Sequence, residues 1–123
     1  MPGIFFLDSL RRAARERARQ KRVRTAQSWP QATAEINHWK IVPAGDASDS
    51  FTQTDVIEAA FHFTLNGEYY GGYVRSVPMS RREAERPATG SPKLTIRYDP
   101  ANPDSNVVLA EDNQTLPFAI VSG

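Results

Sequence analysis

A stretch in the middle of the chain, Val56 to Val77, constrains the fold more than any other. Ile57, Ala59, Phe61, Phe63 and Leu65 alternate with Glu58, Ala60, His62 and Thr64, and the run ends in Asn66-Gly67. Strict alternation places one set of side chains on one face of a strand. Asn-Gly adopts the positive φ angles of a type I′ turn at low cost, and that turn matches the twist of paired strands. The stretch therefore reads as a β-hairpin returning through Glu68 to Val77, with Tyr69, Tyr70, Tyr73 and Val74 on the second strand. Gly71-Gly72 inside that strand marks a bulge or a close backbone approach.

Strand-like segments flank the hairpin. A first strand is expected over Ala32 to Val42, carrying Ile36, Trp39 and Ile41, and its imperfect alternation implies a bulge. Pro43 to Ser50 is small and polar, as expected of an exposed loop, which continues toward Thr54 as the most mobile connection. Met79 to Glu85 suits one or two helical turns, with Ser80 as cap and Glu83 three residues on. Arg86 to Pro92 reads as loop, and Lys93 to Tyr98 as a half-buried strand. Asp99 to Asp104, with two prolines, reads as a rigid turn. Asn106 to Ala110 and Leu116 to Val121 supply the last strands. With 123 residues there is room for one domain. The expectation is a mainly β, overall α+β chain: a small antiparallel β sandwich or partly open barrel of five to six strands over residues 28–123, preceded by a basic helix over residues 1–27.

That helix is expected from about Leu7 to Thr25, because Ser9 to Ala26 contains no proline or glycine and is rich in Ala, Arg, Gln and Lys. Asp8 or Ser9 could cap it. Ile4, Leu7, Leu10, Ala14 and Ala18 form a narrow apolar stripe that fades after Ala18. Residues 1–27 hold eight basic side chains (Arg11, Arg12, Arg15, Arg17, Arg19, Lys21, Arg22 and Arg24) against Asp8 and Glu16, a net of +6. The remaining 7 basic and 12 acidic residues of the totals 15 and 14 leave the rest at −5. A split of this size gives the basic segment its own partner: an anionic lipid surface, a nucleic acid or the acidic body.

The chain has no cysteine, which removes disulfides, thiolate nucleophiles and the usual structural zinc sites. No apolar run exceeds the four residues of Ile4 to Leu7, against roughly 20 residues for a spanning helix, so no segment is expected to cross a bilayer. Positive charge follows that run instead of preceding it, unlike a secretory signal. The expected location is cytoplasmic, peripheral on the inner membrane face.

Three segments together carry a family resemblance. They are Ser28-Trp29-Pro30 before the first strand, the hairpin Phe61-His62-Phe63-Thr64-Leu65-Asn66-Gly67-Glu68-Tyr69-Tyr70-Gly71-Gly72, and Arg97-Tyr98-Asp99-Pro100-Ala101-Asn102-Pro103 before Val107-Val108-Leu109. The chain resembles the bacterial family called Domain of Unknown Function 3592, over roughly Trp29 to Leu109. The Tyr-Asp-Pro-x-x-Pro element is the most specific piece. The resemblance implies a small β domain associated with a membrane, with no established activity and no site residues to carry over; the family's usual transmembrane helices have no counterpart in this sequence.

Other candidate sites have plainer readings. His38 and His62 are the only histidines, both on expected strands, and neither sits near a serine or carboxylate motif of diagnostic spacing. Asp99, Asn102, Asp104 and Asn106 could surround calcium, but lack the glycine and terminal glutamate of a calcium loop and read as a turn. Trp29, Trp39, Tyr69, Tyr70 and Tyr73 could form an aromatic binding surface; core packing is the expected role. Gly71-Gly72 has no following lysine or helix start and is no phosphate loop. Asn113-Gln114-Thr115 fits a glycosylation pattern by chance. No metal, cofactor or catalytic residue is expected. The chain reads as a non-enzymatic binding or structural module. Its helix meets a protein partner or an anionic membrane through the eight basic residues, with Ile4, Phe5, Phe6, Leu7 and Leu10 as membrane contacts. Nucleic-acid binding through the same arginines is the alternative, and a small hydrolase using His62 or His38 ranks last.

Overall fold

The computed structural model describes residues 2–44, 54–86 and 92–123, with side chains described from Asp8 onward. The loops expected over Pro43 to Thr54 and Arg86 to Pro92 therefore lie largely outside the described residues.

The chain is mainly β. One helix, α1 (Pro2–Ala26), precedes β1 (Gln31–Pro43), β2 (Asp55–Leu65) and β3 (Glu68–Ser76). A short helix α2 (Arg81–Glu85) follows, then β4 (Lys93–Asp99), β5 (Asn102–Val107), a 3-10 turn at Ala110–Asp112 and β6 (Ile120–Val121). The strands form one antiparallel sheet in the order β5-β4-β1-β2-β3-β6. The sheet curls into a half-barrel, the second of the two architectures expected from sequence.

The hairpin forms as its residues require. Asn66 and Gly67 have φ of 51° and 82°, and Leu65 pairs with Glu68 across them. Along β2, Ala59, Phe61 and Phe63 point inward and are buried. Gly72 meets the close-approach expectation. A Cβ there would lie 2.5 Å from Phe61 Cζ and 2.6 Å from Asn106 Oδ1, so β3 can pass over the Phe61 ring only without a side chain at this position. The pairing of Phe61 with Gly72 is regular, with no bulge. The bulge expected in β1 falls between Ile36 and His38, leaving Asn37 as the extra residue.

The concave side holds the core: Ile36, Ile57, Phe61, Phe63, Leu94, Ile96, Val108 and Phe118 among others. Trp39 packs on Phe118 with ring centroids 5.6 Å apart, and Tyr70 on Phe63 at the same separation. α2 adds Ala84 to this core. Ser80 caps its start as expected: Glu83 N donates to Ser80 Oγ at 3.2 Å, and Ser80 Oγ donates in turn to Glu83 Oε1 at 3.0 Å.

Where β5 and β3 approach, the barrel closes partly without strand pairing. Asn106 Nδ2 donates to Gly71 O at 3.1 Å. Val108 and Gly123 exchange two backbone hydrogen bonds of 3.0 and 3.2 Å.

Four segments differ from expectation. α1 begins at Pro2, five residues earlier; proline suits a first helical turn, where its missing N–H has no partner to lose. The turn after β4 takes only Pro100 and Ala101, because Asp99 Oδ1 accepts the Ala101 N–H at 2.9 Å and closes it tightly. β5 therefore starts at Asn102, and Pro103 is tolerated on this outermost strand of the sheet order. The segment expected as a strand to Ala110 instead turns into 3-10 helix. The Leu116–Val121 segment keeps only two strand residues, which pair with Arg75 and Ser76.

Candidate binding site on the basic arm

α1 is an arm: every side chain from Asp8 to Ala18 is exposed, and burial begins only with Arg19 and Val23, reaching completion at Ala26. A helix so exposed cannot be held by packing along most of its length, so its good helix formers and its mounting must hold it. Ala26, Val107 and Leu109 make a small core of their own, covered by Val23 and Trp29, which fixes the last turns of α1 to the barrel.

Arg97 is the bolt of that mounting. Its Nε and Nη2 donate to the Asp112 carboxylate at 2.8 and 3.1 Å, while Nη1 donates to Gln27 O at 2.7 Å, just past the end of α1. Both side chains are largely buried, at 19% and 8% exposure. A bidentate pair like this joins β4, the 3-10 turn and the helix exit in one cluster. The Asp112 hydrogen bonds hold the Arg97 guanidinium in its charged form beyond its already high ordinary range. Gln27 and Gln31 add hydrogen bonds to Glu111 and Asp112 at 3.0 and 3.2 Å. A second, lighter fastening is Arg19, whose Nη1 donates to Ser122 O at 2.6 Å while Nε and Nη2 engage Glu16. That hydrogen bonding pulls the Glu16 carboxyl below its ordinary range.

Of the eight basic residues singled out in the sequence, Arg19 is thus half-buried and committed to the mounting. Arg11, Arg12, Arg15, Arg17, Lys21, Arg22 and Arg24 are exposed and, among the described residues, make no ion pair within 4.0 Å. Leu10 is exposed at 46%. The side chains of Ile4, Phe5, Phe6 and Leu7 lie outside the described residues, though their backbone is helical and continuous with the arginine-rich part.

The remaining candidates resolve into structural roles, with one exception. His62 lies on the outer face, its Nδ1 in hydrogen-bond contact with Asn37 Oδ1, its Nε2 3.8 Å from Glu35 and its ring stacked on Tyr69 at 4.9 Å. His38 pairs in register with Ala60, two residues from His62 along β2. Among the described residues no three His, Asp or Glu side chains are grouped to hold a metal ion. In the Asp99–Asn106 turn, Asp99 is engaged with Ala101 and Asn106 with Gly71, Pro103 and Asp104. Asn113, of the glycosylation pattern, is buried, and its amide bonds Thr95 N and O and Leu109 O, all at 2.8 Å; it substitutes for strand pairing beside β4. The exception is aromatic. Trp29, Trp39 and Tyr70 pack as expected, but Tyr69 and Tyr73 are 71% and 83% exposed, against the core role expected for them, because odd-numbered positions of β3 face outward. The Arg97–Asp112 pair had no local signal in the sequence; its partners are fifteen residues apart and meet only through the fold.

Among the described residues no helix is long and apolar enough to cross a membrane. No curated protein and no solved structure matches the chain. A family model described as a domain of unknown function, DUF3592, matches residues 31–113, which begins at the first residue of β1, contains Arg97, Asp112 and Asn113, and leaves the arm outside. The chain belongs to the DUF3592 family.

Proposed function

We propose that this chain is a non-enzymatic binding module that docks on an anionic membrane surface, from the cytoplasmic side, through its basic arm. The observation that carries the reading is the continuity of α1 and its exposure from Asp8 to Ala18: one unbroken helix from Pro2 joins the Ile4–Leu7 run to the exposed arginines. Apolar residues that enter the interface and cations that meet lipid phosphates make two weak anchors, and two such signals sum to useful binding. Each basic residue near an anionic surface contributes about 1 kcal/mol. Like charges at Arg11/Arg15 and Arg15/Arg19 sit one turn apart and oppose the helix; an anionic surface screens them, so binding and helix formation reinforce each other.

Co-sedimentation with vesicles tests this. The full chain is expected to pellet with anionic and not with neutral vesicles, and a chain of residues 18–123 is expected to lose most of that binding. The cut is placed at residue 18 because Arg19, Val23 and Ala26 belong to the mounting. Equal behaviour of the two chains would remove the membrane reading. An arm-dependent gel shift with nucleic acid, in the absence of vesicle binding, would replace it by nucleic-acid binding, and arm-dependent binding to neither surface would leave a protein partner.

A further inference from the structure

Apart from Leu10 on the arm, the large apolar side chains exposed among the described residues are Tyr69, Tyr73, Val77 and Val121. They fall on one surface. Tyr69 and Tyr73 alternate with the inward Tyr70 and Val74 and so stand on the outer face of β3; Val77 continues the same parity, and Val121 is the Cα partner of Arg75 on that face. Arg75 is exposed and, among the described residues, has no ion-pair partner within 4.0 Å; Glu58, its Cα partner on β2, is the one acidic side chain in the cleft beside it. That cleft, of about 420 Å³, lies between the foot of the arm and the outer sheet, and its lining includes Arg19, Arg22, Tyr73, Arg75 and Val121.

The geometry points to the outer face of β3 and β6 as a second part of the membrane-docking surface, continuous with the arm through the Arg19–Arg22–Arg75 cleft. The inference rests on the membrane reading of the arm and adds to it an orientation for the barrel. The occupant is an anionic bilayer: exposed tyrosines and valines beside Arg22 and Arg75, which have no ion-pair partner within 4.0 Å among the described residues, match the interfacial zone, where phosphates lie beside the first apolar layer and amphipathic aromatic rings settle. The arm then does not hold the barrel at a distance. It lies down with Tyr73 and Arg75 against the same surface.

The absence of cysteine makes single-site labelling clean. Tyr73→Cys and, as control, Glu85→Cys are each labelled with an environment-sensitive fluorophore in the full chain; Glu85 sits on α2, whose Ala84 packs into the concave-side core. On vesicles of phosphatidylglycerol and phosphatidylcholine, the label at 73 is expected to shift to the blue and to be quenched by spin-labelled lipid, with the label at 85 unchanged. Arg75→Ala, with the arm intact, is expected to weaken vesicle affinity about fivefold, the equivalent of one interfacial charge. If the protein pellets with vesicles but neither label responds and R75A binds normally, the sheet face does not dock and the arm acts alone. If both labels respond equally, the protein adsorbs without this orientation and the inference falls. If nothing pellets, the inference falls together with the arm reading.

Discussion

Along β2, Val56, Ile57, Ala59, Phe61 and Phe63 are all buried, whereas from Asp8 to Ala18 of α1 every side chain is exposed. The two regions are held by different physics. The barrel is held by removal of apolar surface from water and by polar groups that all find partners: no buried side-chain nitrogen or oxygen among the described residues lacks one. The arm has only its backbone hydrogen bonds, its helix formers and the fastenings at its foot. Substitutions in the barrel core should therefore change stability, and substitutions in the exposed part of the arm should change binding while leaving stability nearly untouched. The family match sharpens the contrast, since it covers β1 to β5, with Arg97 and Asp112 of the mounting, but not the arm.

The contrast breaks most severely if the core is hollowed. Phe63→Ala removes one of the largest fully buried side chains and is expected to cost about 3–5 kcal/mol in urea unfolding. Arg97→Ala leaves the Asp112 carboxylate largely buried with no counter-charge and only the Gln31 hydrogen bond, and about 3 kcal/mol is expected, accompanied by faster hydrogen exchange in the last turn of α1. That variant couples the two regions, because Arg97 touches both. Gly72→Ala forces a Cβ onto the Phe61 ring and Asn106, at a cost of roughly 1–3 kcal/mol in the same measurement. Arg15→Ala, by contrast, is expected to move the unfolding free energy by less than about 0.5 kcal/mol while weakening anionic-vesicle binding. The smallest effect is on pH. Arg19 lowers the folded-state pKa of Glu16, so the pair's stabilisation is present above the ordinary carboxylate value and is lost as pH falls through the lowered one. Its site is exposed, and a carboxyl-carbon NMR titration of Glu16, with a midpoint below that of an unpaired glutamate, reads it directly.

How far the sequence could be read depended on whether the cause was local. The Asn66-Gly67 turn, the β2 alternation, the β1 irregularity and the Ser80 cap each rest on neighbours within a few residues, and each stands where expected. The end of the chain was harder. Whether Val108–Ala110 extends as strand depends on Asn113, whose side chain takes the edge positions of Thr95, and on Gly123, which pairs with Val108. Neither partner is visible in a local pattern. Two prolines point to a longer rigid segment than the Pro100-Ala101 turn, which one Asp99 hydrogen bond suffices to close. For the site, the basic residues were legible from composition alone, but the removal of Arg19 from the free set was not. Tyr69 and Tyr73 were assigned to the core because large rings usually supply it; the alternation that puts Val74 and Ser76 inward turns them out.

The division of labour between body and arm is tested most directly by measuring two quantities on one shortened chain, residues 18–123: its urea midpoint and its partition onto anionic vesicles. The account predicts an unchanged midpoint, because no side chain from Asp8 to Arg17 is buried, together with loss of most of the vesicle binding. A midpoint lowered by the equivalent of more than about 1 kcal/mol, or vesicle binding that survives the deletion, would contradict it.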